Sequence, residues 1–578
     1  MSTIESSILN KATNWLKSSI DEESKDKIRN LIENNPSELI DSFYQDLEFG
    51  TGGLRGLMGV GTNRMNVYTV AMATQGLANY LVACFPGEKI KVAITHDSRI
   101  NNTLFAKTTA DVFTANGIEV MYFRDMRPTP MLSFAVRHFG CKSGVMITAS
   151  HNPKEYNGYK AYWEDGAQVV APHDTNIIKE VQKITSFEQV NWNKQDQLLH
   201  YIEEDFDAIY LAKVKELSLS KEAIQAQKSM PIVFSPIHGA SGKMVPAALK
   251  AFGFETIQIV QEQAEPDGNF PTVIYPNPEE PEALTLAITL GKKVGAALVL
   301  ACDPDGDRYA AVVPNEQGEY ELLNGNQTGT LLVYYLLSRK KELGLLTAND
   351  FMVNTIVTTE LINKIAEGFG VSCYNVLTGF KNIASVILQK EGKETFLAGG
   401  EESFGFLVGD FVRDKDGVSA CALVAEAVAY YKNQGKNVFE VLAEIYQQFG
   451  FYKEALISIT KKGKDGAEQI QQLMNQYRTN PPLEMNGSAV EKIYDVKNAS
   501  IHYPKTQTVE SLNLDKANVM QFYLADGSKI SARPSGTEPK IKYYFSVNTR
   551  ISNTSDYRNV EQLLLEKLAG LKTYFSEV

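Results

Sequence analysis

Cysteine is scarce in this 578-residue chain: Cys84, Cys141, Cys302, Cys373 and Cys421 lie far apart with no C-x-x-C pair. Neither a zinc site nor a disulfide framework is readable, and a reducing cytoplasm is the expected setting. Long apolar runs are also missing. The longest, 296-AALVLAC-302 and 331-LLVYYLL-337, are too short to span a bilayer, so no membrane role is expected. The opening MSTIESSILNKATNWLKSSIDEESKDK mixes both charge signs without a basic flank and an apolar core, and no signal peptide is read there. Positive charge is in deficit: 57 Lys and Arg against 69 Asp and Glu leave a net charge of −12, which repels polyanions and argues against nucleic acid. No G-x-x-x-x-G-K-[ST] loop for nucleotide phosphates occurs. The glycines of 49-FGTGGLRGLMGVG-61 fail the dinucleotide register, because Arg55 stands where its third glycine belongs. Arg55 is read instead as an anion contact, beside a purely structural turn as the alternative.

What is present is an ordinary globular composition, 44% hydrophobic and 22% charged, in a chain long enough for about four domains. Apolar residues from Ile8 to Ile32 recur at helical spacing and predict one or two amphipathic helices. Short apolar runs then alternate with helical patterns. The expected strands are 90-IKVAIT-95, 118-IEVMYF-123, 144-GVMIT-148, 231-PIVFS-235, 296-AALVLA-301, 351-FMVNTIV-357 and 395-TFLAG-399. This alternation predicts α/β units with buried, largely parallel strands. The polar stretch 186–207 reads as a helical linker, and further boundaries fall near 318–324 and 445–454. After the last, 541-IKYYFSV-547 points to an α+β unit.

Strands end and polar loops begin at Thr148, Asp303 and Gly400, the carboxyl ends at which open α/β sheets gather ligands. In 148-TASHNPKEYNGYK-160 a turn presents Ser150, a candidate nucleophile; a helix cap is the competing reading, and His151 is otherwise a hydrogen-bonded loop residue. In 303-DPDGDR-308 a turn at Gly306 can bring Asp303, Asp305 and Asp307 onto one hard cation such as Mg2+. A calcium hand is rejected, since Pro314 stands where its twelfth-position glutamate belongs, and a solvated acidic turn is the alternative. The loop 400-GEESFG-405 offers carboxylates and a hydroxyl for sugar hydroxyl groups, or a plain glycine turn. In 533-RPSGTEPK-540 Arg533, Ser535 and Thr537 around Gly536 suit a phosphate better than a simple hairpin turn does.

These four loops, in this order, resemble the α-D-phosphohexomutase superfamily over nearly the whole chain. Further matches are 53-GLRG-56, 95-THDSR-99, 276-PNPE-279 and 378-TGFK-381. The FGTGGLRG opening and 413-RDKDGVSA-420 are similar to the phosphoglucomutase branch, which also holds enzymes acting on phosphopentoses. The resemblance implies an α/β fold class with four domains around a central cleft, three related α/β units and a C-terminal α+β unit, bounded as 1–205, 206–323, 324–447 and 448–578. It implies Ser150 as the phosphoserine, and Asp303, Asp305 and Asp307 as Mg2+ ligands with that phosphoserine completing the shell. Arg55 and Lys160 would be the acid/base and charge-stabilising pair, with His151 counted among the catalytic residues and the Lys160 pKa lowered by burial among cations. Arg308, Thr378, Gly379, Lys381, Glu401 and Ser403 would meet the sugar phosphate, and Arg533, Ser535, Gly536 and Thr537 would clamp its distal phosphate.

The expected activity interconverts glucose 1-phosphate and glucose 6-phosphate, with glucose 1,6-bisphosphate as intermediate and activator. A small phosphosugar would be the partner of a cytoplasmic monomer or weak dimer. The loop 378-TGFKNI-383 departs from the hexomutase versions, so mannose, glucosamine and pentose phosphates stay open. So do a sugar-bisphosphate synthase, an aspartate-nucleophile phosphatase of the haloacid dehalogenase type built on Asp303, and a non-catalytic scaffold.

Overall fold

In a computed structural model that describes residues 5–50, 52–461, 463–535 and 540–576, the strands form four sheets. The first has the order Gly53–Leu57, Tyr156–Trp163, Ser143–Ile147, Lys91–His96, Glu119–Phe123, Leu199–Ile202. Its two faces follow the period-two alternation of the sequence. Val92, Ile94, Val120, Val145 and Ile147 pack with Phe105, Ala106 and Phe113 of helix Asn102–Ala115. Ala93 and Met146 instead pack with Met131, Leu132 and Ala135 of helix Thr129–His138.

The second sheet has the order Tyr320–Leu323, Tyr309–Pro314, Leu298–Cys302, Ile232–Ser235, Ile257–Ile259, and the third Ser372–Val376, Asp350–Thr355, Thr395–Glu401, Gly405–Val408. The fourth is antiparallel throughout and runs from Phe451–Thr460 through Lys540–Thr549 and Lys529–Pro534 outward. Helices Gly463–Thr479 and Tyr557–Ser576 accompany it. The architecture is three α/β units and a β-rich C-terminal unit, as the loop order implied. The helix Gly417–Asn433 is buried along most of its length, as a helix rich in Ala, Val and Leu on all sides must be. Its one carboxylate there, Glu426, accepts from Tyr335 Oη and Ser218 Oγ at 2.5 Å and from the Leu219 amide at 2.7 Å.

Two expectations need correction. The sheets are mixed rather than largely parallel: Lys91–His96 pairs in parallel with both neighbours, but Ser143–Ile147 and Gly53–Leu57 run antiparallel to Tyr156–Trp163. Leu298–Cys302 and Thr395–Glu401 likewise return as antiparallel hairpins, since loops this short cannot hold a parallel crossover. The stretch 186–207 is no helical linker. It makes two short 3-10 turns and then the strand Leu199–Ile202, which adds to the first sheet in parallel with Glu119–Phe123. The span from Ile8 to Ile32 holds two helices as expected, Ser6–Lys17 and Glu22–Asn34, and a third, Pro36–Phe43, follows, started by Pro36 and capped by Asn35.

The chemistry-bearing loops thus share one construction. Each of the first three sheets sends a hairpin whose tip is a polar loop: 148–155, 303–308 and 402–404. The second and third hairpins touch where Tyr309 N donates to Phe404 O at 3.1 Å, and two helix starts reach the second tip, Gly417 N to Gly306 O at 3.2 Å and Thr129 N to Asp305 O at 2.8 Å. No helix among the described residues is long and apolar enough to cross a membrane.

Candidate active site

Ser150 adopts a left-handed backbone with φ of 53°, a conformation that a non-glycine residue keeps only when its surroundings hold it. Thr148 Oγ1 accepts from the Ser150 amide at 2.7 Å. The main clamp is Arg99, whose guanidinium donates to the carbonyls of Ser150 and Asn152 at 2.5 Å, Pro153 at 2.8 Å and Tyr156 at 3.0 Å. Arg99 lies 3.4 Å from Asp97, both buried, and stacks on Phe270 at 5.1 Å. The Asp97 carboxyl is pushed up to about 6 by burial, against the pull of Arg99.

The Ser150 hydroxyl donates to Asp303 Oδ2 at 2.9 Å and lies 3.2 Å from His151 Nδ1. Asp303, Asp305 and Asp307, all at most 1% exposed, offer oxygens within 4.8 Å of one another. Gly306 makes the turn with φ of 65°, and the Arg308 amide donates to Asp303 Oδ1 at 3.0 Å. Asp305 Oδ2 accepts from Lys160 Nζ at 2.7 Å and Thr129 Oγ1 at 2.9 Å, and Asp307 Oδ2 lies 3.1 Å from Lys415 Nζ. Asp305 Oδ1 and Asp307 Oδ1 are buried with no hydrogen-bond partner. Orphaned carboxylate oxygens cost stability unless a cation takes them, so the three aspartates fit a hard divalent ion with oxygen ligands.

Burial, then repulsion from Asp305 and Asp307, pushes the Asp303 carboxyl well above its usual range. Burial also opposes ionisation of Asp305, but Lys160 outweighs it and holds that carboxyl low. The expected lowering of Lys160 is contradicted: the Asp305 and Asp307 carboxylates override both burial and the nearby charge of Lys415 to raise it. Burial, followed by the charges of Arg308 and Arg55, keeps His151 neutral, well below the usual imidazole value. Arg55, exposed on strand Gly53–Leu57, reaches Asn152 Oδ1 at 3.5 Å. Arg308 donates to Glu279 Oε1 at 2.7 Å, a carboxylate from the PNPE segment.

On the third hairpin Glu401 Oε1 accepts from the Gly379 amide at 2.8 Å, joining the 378–381 turn to the tip that carries Ser403. Thr378, Lys381 and Ser403 are partly exposed. On the fourth unit Arg533 pairs in register with Lys542, and the Ser535 amide donates to the Lys540 carbonyl at 2.7 Å. Gly536 and Thr537 lie outside the described residues. Burial, then the nearby charges of Lys540 and Arg533, lowers the Lys542 pKa, the mark of a cluster of cations on one strand face. Arg99, Thr129, Lys415 and Lys542 are the residues that sequence reasoning missed. The D-x-R of 97–99 after a strand and the alternation Lys540, Lys542 were the available signals; Lys415 stood inside 413-RDKDGVSA-420, a segment quoted for its resemblance with no role given to the lysine, and Thr129 had no signal.

Descriptions of the phosphoglucomutase/phosphomannomutase α/β/α domains I, II and III match residues 46–188, 208–318 and 324–449. A phosphoglucomutase of Staphylococcus haemolyticus is 35% identical over 507 residues, 88% of this chain and 91% of that protein. Two crystal structures share the fold. Parafusin (phosphoglucomutase) of Paramecium in its open form has 19% identity and a TM-score of 0.64, covering 90% of this chain and 95% of that one. A phosphoglucomutase/phosphomannomutase family protein of Burkholderia thailandensis has 18% identity and a TM-score of 0.62, covering 91% and 97%. With three successive domain matches and a relative this similar along most of its length, the chain belongs to the phosphoglucomutase/phosphomannomutase family.

Proposed function

We propose that this protein is a phosphosugar mutase, an isomerase that interconverts glucose 1-phosphate and glucose 6-phosphate by way of a phosphorylated Ser150. The observation that carries this reading is the 2.9 Å contact of the Ser150 hydroxyl with Asp303, inside a buried carboxylate triad with two orphaned oxygens. Asp303, Asp305 and Asp307 would hold Mg2+ with the phosphoserine, and the bound ion would draw off charge from the transferring phosphoryl group. Arg55, Arg308 and Lys160 surround the same point with positive charge, which suits phosphoryl transfer, where stabilising spread negative charge supplies most of the catalysis. Lys160, kept protonated by Asp305 and Asp307, is the charge-stabilising member of its pair with Arg55, and neutral His151 orients the serine hydroxyl.

Glu401 and Ser403 would accept the sugar hydroxyls, with Thr378, Gly379, Lys381 and Arg308 beside them. Arg533, Ser535, Gly536 and Thr537 would grip the phosphate that is not reacting. Glucose 1,6-bisphosphate is then the intermediate, turning over in the cleft before Ser150 retakes a phosphoryl group, and a trace of it should activate the enzyme. The four units 1–205, 206–323, 324–447 and 448–578 each contain one whole sheet, which supports these divisions. We read the enzyme as a cytoplasmic monomer or weak dimer.

The test is turnover of glucose, mannose, glucosamine and ribose 1-phosphates, with and without glucose 1,6-bisphosphate, alongside chemical typing of the phosphoenzyme. Glucose 1-phosphate should be the fastest, the bisphosphate should stimulate, and the phosphate should be alkali-labile on Ser150. A hydroxylamine-labile phosphate on Asp303, or turnover of none of the sugars, would overturn the reading.

A further inference from the structure

Directly after strand Ile232–Ser235 the chain holds Ile237 and His238 in left-handed backbone, with φ of 45° and 59°, and a later loop of the same unit holds Phe270 with φ of 47°. All three are buried. Non-glycine residues keep this conformation only where the surroundings over-determine it, and such strain gathers at functional sites. The His238 ring is the pin. Its Nδ1 lies 3.2 Å from the Glu265 carbonyl and its Nε2 2.9 Å from Thr272 Oγ1. A carbonyl only accepts, so Nδ1 carries the proton, and in the neutral imidazole Nε2 then accepts the Thr272 hydroxyl. Ser235 Oγ donates to Gln263 Oε1 at 2.6 Å, and Gln263 Nε2 donates to Thr272 Oγ1 at 3.0 Å. Donor meets acceptor at every step from Ser235 to Glu265. The His238 backbone adds two bonds to the same loop: its amide donates to the Gln263 carbonyl at 3.0 Å, and its carbonyl accepts from the Asp267 amide at 3.2 Å.

The two segments that His238 fastens together, 236–242 and 263–272, reach opposite halves of the candidate active site. On one side the Ala240 amide donates to the Pro304 carbonyl at 2.8 Å. A Cβ at Gly239 would come within 2.5 Å of Pro304 Cα, so this turn lies flush against the metal loop. On the other side Gly268 forms a parallel bridge with Arg99, and a Cβ there would come within 2.4 Å of the Ile100 nitrogen. Phe270 faces the Arg99 guanidinium at 5.1 Å, and Arg99 in turn clamps the carbonyls of Ser150 and Asn152. The direct tie between the halves, from the Ser150 hydroxyl to Asp303, uses a proton that a phosphorylated serine no longer has. A spacing that outlasts phosphorylation has to come from a neighbouring element.

We propose that His238 is a positioning residue for phosphoryl transfer, one that sets the distance between the serine loop and the metal loop through Thr272 and Glu265; the transfer itself rests on the mutase reading above. Its own hydrogen bonds run to Gln263, Glu265, Asp267 and Thr272, so it acts through the segments it joins rather than on the reacting atoms. Cutting the link frees the Arg99 contact to shift against Pro304. A displacement of about 1 Å at reacting atoms can cost on the order of a hundredfold in rate. The proposed sugar contacts lie mainly on the third and fourth units, so the cost falls on kcat rather than on KM. The aspartates share the loss, because Pro304 stands between two of them.

Thr272→Val and His238→Asn each delete the bond between these two residues from one side. Asparagine tolerates the left-handed backbone and keeps an amide donor for Glu265, and Thr272→Ser keeps the hydroxyl. In the full-length protein the first two variants should lose about tenfold or more in kcat, with KM for glucose 1-phosphate within about twofold. Their Mg2+ dissociation constant, read by calorimetry without sugar, should rise about threefold or more, as for a loosened set of ligands. Thr272→Ser should match the wild type in both, and the double variant should be no worse than the poorer single one, since both break the same link. Wild-type kcat and Mg2+ affinity in Thr272→Val and His238→Asn overturn the proposal, and so does a lowered melting temperature with kcat per folded molecule unchanged. A wild type that turns over no sugar phosphate overturns the mutase reading instead, and the Mg2+ constants then decide the role of His238 by themselves.

Discussion

Ser150 and Asp303, 153 positions apart in the chain, are joined by a 2.9 Å hydrogen bond between the first and second units. The proposed nucleophile and the proposed metal site therefore come from different sheets and meet only in the folded protein. Ser150→Ala should keep the fold, because the loop is held through backbone carbonyls by Arg99 rather than through the hydroxyl. Turnover should fall by several orders of magnitude, as when a covalent route is removed. Circular dichroism with steady-state rates checks both, and near-normal activity in the variant would end the phosphoserine reading.

Asp305→Asn should weaken Mg2+ binding and turnover together. It removes one charge of the triad and the partner that Lys160 holds at 2.7 Å. Excess chelator should abolish wild-type activity, and added Mg2+ should raise the melting temperature of the wild type more than that of the variant. Full activity in chelator would remove the metal from the account.

Arg99→Ala should be among the most damaging changes away from the reacting atoms. It strips four carbonyls of the serine loop of their donor and leaves the buried Asp97 without its cation, a loss of about 3–5 kcal/mol. Arg99→Lys restores the charge without the planar fork and should recover part of the stability but little of kcat. Denaturant unfolding and kcat, measured on both variants, separate the two effects.

The Glu402 carboxyl is pushed up to about 7 from an ordinary value of 4.5, by burial first and by the charge of Glu401 second. Between those two pH values the folded protein keeps a proton that the unfolded chain has released. Raising the pH through this window therefore costs stability. Glu402→Gln removes that loss, so its melting temperature relative to wild type should climb between pH 4.5 and 7 and level off above. A difference that stays flat across this range would show that Glu402 is not the titrating group.

Arg533→Ala should lower kcat/KM about tenfold or more in both directions of the reaction, the worth of a charged contact to phosphate. Whichever phosphate is idle must use the same clamp, and release of glucose 1,6-bisphosphate during turnover should rise. A defect in one direction only would require two separate clamps.

The parts legible in the sequence are those built from one contiguous segment. Ser150, the three aspartates and the strands that carry them are local: a run of β-branched and aliphatic residues, then a polar turn. Strand direction is not local, which is why the antiparallel return of Tyr156–Trp163 and the edge strand Leu199–Ile202 went unread. Thr129 is likewise invisible as a motif, and nothing in 413-RDKDGVSA-420 tells that Lys415 reaches Asp307. They matter because helices from two other units bring their ends against the metal loop, and only tertiary approach makes them its partners. Lys160 shows the same limit for chemistry: its residue type was read correctly, but the sign of its pKa shift depends on which neighbours the fold supplies.

The three hairpins divide labour between stem and tip. Each stem is locked into a buried sheet, so replacing a stem residue tilts an entire loop, and every distance at the site shifts at once. A tip residue such as Ser403, partly exposed, contributes little to any core and can be exchanged alone. On the proposed function, a scaffold of this kind would lend itself to retargeting: new sugars would be met by rewriting the three tip positions of the third hairpin, with the other two hairpins left as they stand.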